Sequence, residues 1–80
     1  MTGTVTHINK PKKMYSILLF SGEYTVIETQ EELELGDKIA GSLQDSGLIT
    51  LKKKETGKLF SAIIQNSGCT EPSAKEQCFL

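Results

Sequence analysis

The punctuation of this chain limits its fold more than any other feature. From residue 1 to about residue 66 it breaks into short runs of β-forming residues separated by Gly, Pro and Asn turns. Threonines interleave with Val5 and Ile8 over residues 3–9, the pattern of a half-exposed first strand. Asn9-Lys10-Pro11-Lys12 is turn chemistry, because Pro11 fixes its own φ and brings no N–H to a ladder. Residues 14–20 are almost wholly apolar and suit a strand in mid-sheet. Ser21-Gly22 then closes a hairpin onto residues 23–29, which carry the β-formers Tyr24, Thr25, Val26 and Ile27.

Residues 30–35 are the one segment that reads as a helical turn, and Gly36-Asp37 ends it. Residues 38–43 follow as a strand, then Gln44-Asp45-Ser46-Gly47 turns the chain. Residues 48–54 and 58–66 read as a last hairpin around Glu55-Thr56-Gly57. Five or six short strands with glycines at the bends describe a closed barrel better than a sandwich, since closure removes the edges a small open sheet exposes. The predicted core is Val5, Ile17, Leu19, Ile27, Leu35, Ile39, Leu43, Leu51 and Ile63. Residues 67–80 are rich in Ser, Gly, Pro and mixed charge and are expected to form a disordered, flexible tail beyond a barrel domain of residues 1–66.

Charge is segregated rather than abundant. The net charge is −1, yet Glu23, Glu28, Glu31, Glu32, Glu34 and Asp37 run without an intervening Lys. Lys10, Lys12, Lys13 and then Lys52, Lys53, Lys54 and Lys58 are the counterweight. All nine cations are Lys, and the missing Arg argues against forked readout of phosphates and guanine edges. No apolar run approaches a membrane span, and the N-terminus lacks the basic region and apolar core of a signal peptide. A cytoplasmic protein with reduced thiols at Cys69 and Cys78, monomeric and free of any membrane, is therefore expected.

The opening residues Met1-Thr2-Gly3-Thr4-Val5, then Asn9, Lys12 and Ile17, with Gly22 ending the hairpin, resemble a cold-shock domain without a gap. Leu35-Gly36-Asp37-Lys38-Ile39 is similar to that family's later Gly-x-x-Val strand start. The likeness spans roughly the first 43 residues; the Lys-rich hairpin beyond is compatible with the wider OB-fold group, which includes S1 and initiation-factor-1 domains. It implies an all-β, cold-shock-like, small five-stranded OB-fold barrel that binds single-stranded RNA or DNA on aromatics of strands two and three. Laid over this chain, the first-strand tryptophan position holds His7, the two phenylalanines of the first ribonucleoprotein motif fall at Met14 and Ser16, and the second motif falls near Thr25, Ile27 and Glu28. Each lost stack removes about 1–3 kcal/mol, so binding should be weak and of low specificity.

A one-residue slip in strand two brings Tyr15 to the surface, where Tyr24 can join it; otherwise Tyr15 lies inside the barrel or at its rim with its hydroxyl in water. The expected nucleic-acid face is thus His7, Met14, Tyr15 and Tyr24, with charge from Lys10, Lys12, Lys13, Lys52, Lys53, Lys54 and Lys58. Those lysines either track a phosphate backbone or merely solubilise hairpin tips. The acidic stretch is either a solvated loop or a contact for a basic partner protein. His7 is the only histidine and has neither metal co-ligands nor a nucleophile beside it in sequence. No phosphate loop, paired-cysteine or metalloprotease motif is present, so no cofactor and no enzymatic activity are expected. Single-stranded nucleic acid, RNA before DNA, leads as partner. The alternative is a protein-interaction module that kept the barrel and lost the platform.

Overall fold

Most strands stop where the sequence supplies a turn or bend. The computed structural model describes residues 1–79. It contains β1 (Thr2–Asn9), β2 (Met14–Leu19), β3 (Tyr24–Glu28), β4 (Lys38–Ala40), β5 (Gly47–Lys53), β6 (Leu59–Cys69) and one helix, α1 (Glu71–Phe79). Leu19 and Glu23 close the β2–β3 hairpin (Leu19 N–H to Glu23 O, 2.8 Å), and Gly22 supplies the φ of 93° that this loop needs.

The strands pair antiparallel throughout and close into a barrel in the order β1-β2-β3-β6-β5-β4, with β4 returning to β1. That closure fits an OB-like barrel. β1 serves two neighbours: Gly3 lies opposite both Leu19 of β2 and Ile39 of β4, and a bulge between Val5 and His7 bends the strand between them. A Cβ on Gly3 would stand 2.5 Å from Ile17 Cγ2 and 2.9 Å from the Leu18 carbonyl, so this tight corner accepts no side chain.

Inside the barrel Val5, Tyr15, Ile17, Leu19, Ile27, Leu33, Ile39, Leu43, Leu51, Phe60, Ala62 and Ile64 form one core. Ser16, Thr25 and Thr29 are buried polar residues, and the Thr25 hydroxyl donates to the Leu43 carbonyl at 2.8 Å. Of the predicted core, Leu35 and Ile63 are exposed instead. Ile63 faces out because β6 alternates, with Phe60, Ala62 and Ile64 inward. Leu35 is displaced by Leu33, since residues 30–35 are irregular and form no helical turn.

Two further expectations are corrected. The strands number six rather than five, because β4 is a separate three-residue bridge between β1 and β5. The segment after residue 66 is not a disordered tail: β6 continues to Cys69, and α1 follows after Thr70, whose carbonyl accepts the Ala74 N–H at 2.9 Å. Leu80 lies outside the described residues. Among the described residues no helix is long and apolar enough to cross a membrane.

A candidate interface and the helix that covers it

The outer face of β1, β2 and β3 is where three of the four expected stacking residues, His7, Met14 and Tyr24, gather, and it is not open. α1 packs across it. Tyr24, Val26, Cys69 and Ala74 form a second buried cluster there, with Met14 and Leu18 against it. This explains why β3 reads apolar at consecutive positions: Thr25 and Ile27 face the barrel interior, while Tyr24 and Val26 face the helix.

The helix is fastened by side chains as well as by packing. Asn9 Nδ2 donates to the Cys78 carbonyl at 3.0 Å, and the Cys78 thiol donates to the Met14 carbonyl at 3.5 Å. At the other end the Tyr24 hydroxyl donates to Glu71 Oε2 at 3.2 Å. Burial first, and then the Glu71 carboxylate, push the Tyr24 hydroxyl above its ordinary pKa. Burial likewise pushes the Cys78 thiol up. Cys69 and Cys78 are both buried and unbridged.

His7 is half-buried at the rim of this cover. Its ring centroid lies 6.4 Å from that of Tyr24 and 6.3 Å from that of Phe79, the latter edge-on at 87°. Phe79 thus takes a place beside His7 that an unstacked base would need. Met14 is likewise half-covered, leaving no open stacking platform on this face.

Tyr15 is not on the surface at all. It is 1% exposed inside the barrel, so the slipped register is overturned. Nor does its hydroxyl reach water: it donates to the Glu31 carbonyl at 3.1 Å and accepts the Leu33 N–H at 3.4 Å. Those bonds fix residues 31–33 against the barrel end and carry Glu31 to the lysines. Glu31 Oε2 lies 3.2 Å from Lys53 Nζ and 3.1 Å from Lys58 Nζ. The hydrogen bond from Lys58, then that from Lys53, holds the Glu31 carboxyl below its usual range.

The predicted lysines do not form one track. Lys10, Lys53 and Lys58 line a groove of about 610 Å³ together with Lys38, but five carboxylates (Glu31, Glu32, Glu34, Asp37 and Glu55) line it too. Lys54 lies on a different groove, where Lys38 is its partner in charge. Lys52 is exposed on β5, opposite Leu59 of β6. Lys10, Lys12 and Lys13 share the β1–β2 turn and, among the described residues, make no ion pair.

What the sequence reading missed is apolar surface. Phe20 is not the last residue of β2; it stands in the turn, fully exposed at 103%, because Leu19 takes the inward place. Leu48 lies opposite Ile63, and both are exposed on the outer face of the β5–β6 hairpin, with Leu59 further along. The alternation of β6 carried that signal. No protein-family model, curated protein or solved structure matches the chain.

Proposed function

We propose that the chain is a protein-interaction module built on an OB-type barrel similar to a cold-shock domain. The observation that carries this reading is α1 lying over the outer face of β1–β2–β3, with Val26 fully buried and Tyr24 nearly so beneath it. A single-strand platform needs exposed rings, and here Tyr15 is inside, Tyr24 is covered and His7 meets Phe79. Meanwhile Phe20, Leu48, Leu59 and Ile63 remain open, an uneconomical arrangement in so small a domain unless something binds them. The module is assigned to the cytoplasm, a placement supported by two unbridged thiols.

A second reading has one observation in its favour. Lys10, Lys12 and Lys13 sit together in one turn, make no ion pair among the described residues, and suit weak, low-specificity contact with single-stranded nucleic acid, RNA before DNA. Anisotropy of a labelled mixed-sequence single-stranded RNA separates the two. The interaction reading expects no saturable change from low to physiological salt. A saturable rise at low salt that collapses as salt increases would replace it with the second reading.

A further inference from the structure

The N-terminal end of β1 and the β2–β3 turn enclose a groove of about 720 Å³, bounded by Met1 and residues 2–4 on one side and Leu18, Leu19 and Phe20 on the other. Phe20 is fully exposed there and Met1 is mostly so. Among the described residues the charged side chains lining the groove are Lys38 and Lys54, which are held side by side because Lys54 N–H donates to the Lys38 carbonyl at 3.0 Å. Lys38 Nζ is oriented by the Thr4 hydroxyl, to which it donates at 2.8 Å. The neighbouring groove holds more carboxylates than lysines; this one has no carboxylate in its lining.

We infer that this groove binds a short acidic peptide segment of a partner protein, a carboxylate facing Lys38 and Lys54 and a large apolar side chain seated against Met1, Leu18 and Phe20. This rests on the interaction-module reading and names the partner's chemistry. Charge complementarity selects the occupant: two ammonium groups beside apolar surface favour an apolar residue flanked by Asp or Glu. Strand addition is not the mode, because Gly3 already pairs with both Leu19 and Ile39 and the closed barrel leaves no edge at this point. Recognition therefore runs through side chains. Met1 supplies an adaptable thioether and Phe20 a rigid ring, a pairing suited to anchoring one apolar group. A nucleic acid fits less well, since one ring gives one stack and two lysines give a short phosphate track.

The test is selection of a phage-displayed random-peptide library on the full chain, followed by amide NMR with the enriched peptides. The expected result is a consensus of a large apolar residue flanked by Asp or Glu, with shifts centred on residues 2–4, 18–20, 38 and 54. Phe20→Ser and Lys54→Glu should each weaken binding about tenfold or more while the rest of the spectrum stays folded, since both residues are exposed. The inference is overturned if nothing is enriched, if enriched peptides lack acidic residues, or if Phe20→Ser binds like the parent. Peptides that shift Leu48, Leu59 and Ile63 instead would end the groove assignment and leave the interaction module standing. A short single-stranded RNA shifting the groove residues with comparable affinity would end both.

Discussion

Tyr15 decides more than its own environment. It occupies the position where a slipped register would have presented a stacking ring, and instead it spends its hydroxyl on the Glu31 carbonyl and the Leu33 amide. Tyr15→Phe should lower stability by about 1–2 kcal/mol, because it leaves the buried Leu33 amide and the part-buried Glu31 carbonyl without this partner. Denaturant unfolding reads this, and a loss below a few tenths would contradict the assignment. One step outward, Glu31 is shared between Lys53 and Lys58. Its carboxyl is held below the ordinary value of 4.5 by those lysines, Lys58 foremost. A depressed carboxylate contributes stability above its ordinary value and loses it as the pH falls through the depressed one. Glu31→Gln should therefore flatten the acid limb of the stability–pH curve, and an unchanged limb would show that the shared pair does not hold in solution.

At the scale of elements, α1 is the unexpected part. A nine-residue helix is marginal alone, so it persists by covering Tyr24, Val26 and Cys69. Its start was legible: Thr70 stands where a cap belongs, Glu71 carries negative charge in the first turn, and Pro72 follows. So was its seat, since Met14, Leu18, Tyr24 and Val26 give the outer strand faces more apolar surface than a solvated face carries. The polar composition of residues 67–80 masked both signals, because only Ala74 and Cys78 of the helix are buried. The strands were plain from turn chemistry, whereas the early end of β4 at Ala40, the inward choice of Leu33 over Leu35 and the exposure of Ile63 depend on closure of the whole barrel. Cys78 is fully buried and its thiol is shifted upward, so a thiol reagent should modify it slowly at neutral pH. The neutral thiol that folding favours is stabilising below the ordinary thiol value and loses that advantage as the pH rises toward the raised one. Labelling should accelerate over that window by more than the reagent's own pH dependence, as measured on unfolded protein. Labelling at the unfolded rate at pH 7 would contradict the packed helix.

At the scale of the molecule, one barrel presents three different exteriors. The face of β1–β2–β3 is closed by α1, the end near Glu31 carries mixed charge with carboxylates outnumbering lysines, and the Phe20 groove together with the β5–β6 face is open and partly apolar. With a net charge of −1 and its lysines divided among these surfaces, the molecule has little long-range attraction for phosphate. On the proposed interaction reading, recognition is short-range, through shape and apolar contact at the surfaces left open. All of this depends on the helix lying where it does. The most direct test is a nuclear Overhauser spectrum of the full chain in solution. The account predicts cross-peaks from the Ala74 methyl to the Tyr24 and Val26 side chains and between the rings of Phe79 and His7. Random-coil shifts and sharp lines from residue 67 onward, with none of those cross-peaks, would contradict it.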